Sequence, residues 1–81
     1  MSEQLDLHGH TVDEAIPKVE EFLYESYKSG LSQVWIIHGK GTGVLKTEIS
    51  RQLISHSLVR SFYLADKYHG GEGATQVNLK R

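Results

Sequence analysis

Asp6 and His8 stand two residues apart in "QLDLHG" (residues 4–9), a spacing that sends both side chains off one face of an extended strand. A carboxylate beside an imidazole fixes its tautomer and raises its basicity, which is what a general base requires. The pair would equally suit a solvated strand face with a polar cap at its end. The second stretch with chemistry in it is "IIHGKGTGVLK" (residues 36–46), which holds three glycines between an apolar run and a helical pattern. Glycine at that density costs backbone entropy, so the chain there needs positive φ or close approach by another group. Leaving a strand and entering a helix, the loop turns backbone N–H groups and the positive helix end toward an anion, and Lys40 adds charge. No Gly-Lys-Ser/Thr closes it as a P-loop, and Val44 replaces the last glycine of the dinucleotide fingerprint. The plainer alternative is a tight strand-to-helix turn. His8, His10 and His38 raise the further option of a zinc site, but the ligand spacing of such sites is missing and no metal is assigned. His56 and His69 fall at a helix end and in a loop, where surface roles are expected.

The elements that must position these residues follow from hydrophobic periodicity. "QLDLHG" alternates apolar and polar and ends at glycine, a strand over 4–9. Thr11 and Glu14 form a capping box for a helix whose apolar stripe is Val12, Ile16, Val19, Leu23 and Tyr27, with Gly30 as its stop. Pro17 removes one hydrogen bond inside that helix, which predicts a kinked or displaced first turn. Residues 33–39 make a buried strand and 44–55 a second helix with Leu45, Ile49 and Leu53 as its stripe. Strands at 59–65 and 74–80 complete a β-α-β-α-β-β order. Strand-helix-strand crossovers join parallel strands, so the carboxyl ends of the first three strands share one sheet edge. That edge receives His8–His10, His38–Gly43 and the loop with Gly70, Gly71 and Gly73, which is where open α/β sheets bind ligands. Trp35 and Tyr63 would be able to stack on bases if they occupied the face opposite the helices, although such residues are more often core. Phe22, Tyr24 and Tyr27 read as helix packing.

Size and composition set limits on this site. Eighty-one residues make one domain, which buries roughly 60% of the surface its unfolded chain exposes. With no cysteine there is neither a disulfide framework nor a thiolate metal site. No apolar run approaches the ~20 residues of a membrane span, nothing resembles a signal peptide, and the cytoplasm is the expected compartment. A net charge of -1 is unlike the usual basic nucleic-acid binder. Yet Lys40, Lys46, Arg51, Arg60, Lys80 and Arg81 lie from mid-chain onward, and this local basicity can serve phosphate contacts of modest affinity.

Taken together, "LDLHG", "TVDEA", "IIHGKGTGVLK" and "GGEGATQVNL" resemble the Smr domain, the small MutS-related module, over a core of about residues 5–79 in a single domain of 1–81. The resemblance implies an α+β two-layer sandwich of two helices on a four-stranded mixed sheet. This is similar to the C-terminal domain of the third bacterial translation initiation factor, with the last strand inserted antiparallel between the second and third. Members occur alone or at the C-terminus of MutS2 proteins, so the chain fits a whole protein or a domain excised from a longer one. The family implies endonuclease activity on RNA or DNA, or a non-catalytic nucleic-acid- or ribosome-binding module, with links to ribosome rescue and DNA recombination control. It maps cleavage onto Asp6 and His8. Many MutS2 versions carry arginine at the position of His8, so the histidine points to the cleaving subgroup. Phosphate binding maps onto His38, Gly39, Lys40, Gly41, Thr42 and Gly43, with Lys46 close behind. RNA is the favoured substrate, since an Asp-oriented histidine can deprotonate a ribose hydroxyl without a cofactor, whereas DNA would need a water activated by a divalent metal.

Overall fold

Glycine decides where the strands stop. In a computed structural model that describes residues 2–81, β1 (Gln4–Asp6) and β2 (Gln33–Ile37) each end before a glycine with positive φ, Gly9 at 79° and Gly39 at 80°. Both strands are therefore shorter than the apolar patterns 4–9 and 33–39. The remaining elements are α1 (Val12–Lys28), α2 (Val44–Ile54), β3 (Val59–Leu64) and β4 (Ala74–Leu79), with a 3₁₀ turn at Gly71–Gly73 leading into β4. The sheet order is β1-β2-β4-β3. β1 runs parallel to β2, while β4 is antiparallel to both its neighbours, so β3 points the same way as β1 and β2. This is the two-layer α+β sandwich, with the last strand inserted as the resemblance implies.

Both helices cover one face of the sheet. Leu7, just past β1, and Val34, Ile36, Val77 and Leu79 from the strands pack with Val19, Leu23, Ile49 and Leu53 from the helices in a single core. Truncating a fully buried leucine costs about 2–5 kcal/mol, so Leu7 pins the chain just beyond β1. On the opposite face Trp35, Ala65 and Ala74 make a second, smaller cluster.

Thr11 caps α1 as predicted, its hydroxyl accepting from the Glu14 N–H while the Glu14 carboxylate accepts from the Thr11 N–H. The buried stripe is Ala15, Val19, Phe22, Leu23 and Ser26, rotated from the expected one. Phe22 is the larger anchor and turns the helix toward itself, which leaves Tyr27 at the flank under the Arg81 guanidinium. Tyr24 also remains exposed, so of the three helix aromatics only Phe22 is core. The helix continues without a break through Pro17, which lies on its exposed side. There the carbonyl that loses its donor, Asp13, belongs to the solvent-facing first turn.

Candidate active site

Asp6 leaves β1 on the face away from the helices, since Leu5 and Leu7 on either side of it pack toward the core. Its Oδ1 lies 2.7 Å from His8 Nδ1 and also accepts from the His8 backbone N–H at 3.1 Å. Both groups stand in solvent, with 53% of the Asp6 and 72% of the His8 side chain exposed. The hydrogen bond from the imidazole is the main reason the Asp6 carboxyl is held below its ordinary range, and the same bond raises the His8 imidazole above its own. With Nδ1–H donating to the carboxylate, Nε2 carries the lone pair and has no hydrogen-bond partner among the described residues. Such an imidazole is oriented and basic, and free to take a proton.

Beside this pair lies the glycine loop, fixed by its neighbours. The N–H groups of His38 and Gly39 both donate to the Gly73 carbonyl, at 3.0 and 2.9 Å. A Cβ on Gly39 would sit 3.4 Å from the His8 Cβ. All three glycine-bearing loops therefore meet at one edge. Gly43 takes φ 85° as the N-cap of α2, and the first helical bond runs from the Thr47 N–H to its carbonyl. The N–H groups of Leu45 and Lys46 lie in the unbonded first turn of α2, which contains no acidic residue. A cleft of about 250 Å³ opens there between Gly9, His10 and residues 38–46, with Lys40 and Lys46 on its wall. Amides, a helix end and two cations facing one hollow can take up an anion.

The sequence model of the Smr domain family matches residues 5–80. This chain belongs to the Smr family. It is 49% identical over 79 residues, 98% of its length, to Endonuclease MutS2 of Pelotomaculum thermopropionicum, and 46% identical over 79 residues to Endonuclease MutS2 of Caldanaerobacter subterraneus. The chain spans about 10% of the length of these curated relatives. Among solved structures, the Smr domain of Thermus thermophilus MutS2 superposes with a TM-score of 0.93 at 40% identity, covering 99% of this chain and 100% of that one. YdaL, a stand-alone small MutS-related protein of Escherichia coli, gives a TM-score of 0.93 at 30% identity over 98% of this chain and 65% of its own.

Within this Smr domain several side chains are placed differently from their sequence reading. His38 is 5% exposed: its Nδ1–H donates to the Gly39 carbonyl at 2.8 Å and its Nε2 lies 2.9 Å from the Thr75 hydroxyl. Burial holds this imidazole below its ordinary pKa, so it is neutral and shapes the loop from within, offering no ring nitrogen to the cleft. His10 is also occupied, with Lys18 donating to Nε2 at 2.9 Å and Nδ1 3.5 Å from the His8 carbonyl. Two of the three histidines considered for zinc thus have no free nitrogen, and among the described residues no group of three His, Asp or Glu is placed to hold a metal. His56 is no surface residue: its side chain is buried and Nε2 bonds the Glu20 carboxylate, tying α1 to the end of α2. Arg81 is spent on the Tyr27 carbonyl in the last turn of α1 and the Leu31 carbonyl just beyond it. No helix among the described residues is long and apolar enough to cross a membrane.

Proposed function

We propose that this Smr domain is a cytoplasmic endonuclease that cuts nucleic acid, RNA in preference to DNA. The observation that carries the reading is the 2.7 Å Asp6–His8 pair, with Nε2 unbonded beside a cleft suited to phosphate. His8 Nε2 takes the proton of a ribose 2′-hydroxyl, and the alkoxide attacks the adjacent phosphorus. The new bond is O2′–P and the broken one P–O5′, leaving a 2′,3′-cyclic phosphate and a 5′ oxygen that picks up a proton from water. Lys40, Lys46 and the amides of Gly41, Thr42 and Gly43 hold the phosphate that flanks the cut. The name Endonuclease MutS2 borne by its relatives supports a nuclease. Work on ribosomal messages or control of DNA recombination are the settings such a cutter would serve.

The test is incubation with single-stranded RNA in EDTA and typing of the ends. Cyclic phosphate termini are expected from the wild type, with a rate about 10²–10⁴ lower for His8→Ala. Cleavage of DNA alone, and only with added metal, would refute the ribose mechanism. The net charge of -1 favours a second reading, a module that grips ribosomal RNA or a DNA junction without cutting. Equal RNA binding by wild type and His8→Ala, with no cleavage by either even when ribosomes are present, would establish it.

A further inference from the structure

The sheet face turned away from the helices carries an aromatic arrangement that the cleavage chemistry does not use. His69 lies flat on Trp35, ring centroids 4.3 Å apart and planes 6° from parallel. Asp66 fixes the imidazole, both carboxylate oxygens lying within 3.0 Å of Nδ1. Trp35 is 8% exposed beneath it, whereas 39% of the His69 side chain remains open to solvent. Among the described residues the indole Nε1 has no hydrogen-bond partner, and stacking on His69 holds the ring there. A groove of about 440 Å³ runs alongside, bounded by Ser2, Glu3, Gln4, Trp35 and His69. Strand register sets Gln4, Trp35, Gln76 and Tyr63 in one row across the sheet. Tyr63 is 59% exposed, and Lys67 and the exposed Tyr68 belong to the same loop as His69. The row therefore alternates planar rings with planar amides.

We infer that this row is a platform for unpaired bases of a single-stranded nucleic acid, one base stacking on the outer face of His69 and another on Tyr63. Every base has a π-face, and an aromatic ring accepts it with little regard to sequence. The amides of Gln4 and Gln76 can both donate and accept at a base edge, and Lys67 supplies a cation for the backbone. Asp6 lies two residues along β1 from Gln4 on the same side of the sheet, about 7 Å away, so the platform is continuous with the Asp6–His8 pair. A duplex hides its base faces and cannot use such a surface. The inference rests on the nuclease reading and narrows its substrate to single strands.

Trp35 is the sole tryptophan of the chain, so its emission reports on this face. The 81-residue chain is titrated with a 2′-O-methyl RNA hexamer, which the ribose mechanism cannot cut. The same hexamer with abasic positions and a duplex of the same sequence are run in parallel. The hexamer is expected to change Trp35 emission, and abasic substitution or His69→Ala to weaken binding about tenfold. His69→Phe refills the space over Trp35 and should bind within about twofold of wild type, which decides the matter if the alanine variant loosens the loop. The duplex should leave Trp35 emission unchanged. Unchanged emission with the hexamer, equal affinity for the abasic hexamer, wild-type affinity in a folded His69→Ala variant, or the same emission change with duplex each overturn the platform. Metal-free cleavage of ordinary RNA that depends on His8 would stand in all those cases, so the two readings fail separately.

Discussion

His8 spends one ring nitrogen on Asp6 and keeps the other for solvent, and its behaviour with pH follows from that division. The Asp6 hydrogen bond raises the imidazole pKa, so the proton acceptor appears at higher pH than for a free histidine. Asp6→Asn removes the negative charge and lets His8 fall back toward its ordinary value. The rising limb of the kcat/KM profile, where neutral imidazole forms, is expected to move to lower pH in Asp6→Asn. The plateau should drop by less than in His8→Ala, and RNA affinity should stay near wild type. An unshifted limb would show that Asp6 does not govern the base. This pair was readable from sequence because two residues of separation on a strand fix a common face. His38 was not: its partner Thr75 is 37 residues away and arrives only because β4 inserts beside β2. No local pattern distinguishes a histidine at a glycine loop that faces a ligand from one that braces the loop.

Helix α1 and helix α2 begin in opposite ways. The first is closed by its own Thr11–Glu14 box, a device worth about 1 kcal/mol. The second starts from Gly43 with no side-chain cap bond and no acid in its first turn. If that bare end holds phosphate, Lys40→Ala should weaken RNA binding across sequences and reduce the salt slope of log K by roughly 0.7, one contact to a single strand. Gly41 has φ 31° and open space where a Cβ would be built, so Gly41→Val adds backbone strain and blocks approach without striking the fold. Its affinity loss should exceed that of Lys40→Ala. An unaltered salt slope for Lys40→Ala, with Gly41→Val changing only the melting temperature, would mean the loop is a turn and nothing more. The elements themselves were legible in order and type. Their ends were not, because strands continue to look apolar past the point where a glycine turns the backbone, and a stripe of moderate residues does not reveal that Phe22 outweighs Ile16 and Tyr27 in orienting α1.

At the scale of the molecule, crossover topology alone brought the three glycine loops to one edge, and the structure has them touching through Gly39, Gly73 and His8. The place of β4 was not legible in periodicity; it came from resemblance, since a strand pattern does not state its neighbours. The order β1-β2-β4-β3 has one more consequence. β1 is three residues long, lies at the rim of the sheet and is bonded on one side only, yet it carries the proposed base. Such a strand frays before the interior opens. Amide hydrogens of Leu5 and Asp6 should therefore exchange with solvent faster than those of Val34 and Ile36. On warming, cleavage should fade several degrees below the temperature at which circular dichroism records loss of the sheet. Coincident loss of both signals would show that β1 holds until the whole domain unfolds. If instead the strand detaches first, the proposed catalyst is disarmed by a reversible local melting that leaves the rest of the molecule, with the proposed phosphate site, intact.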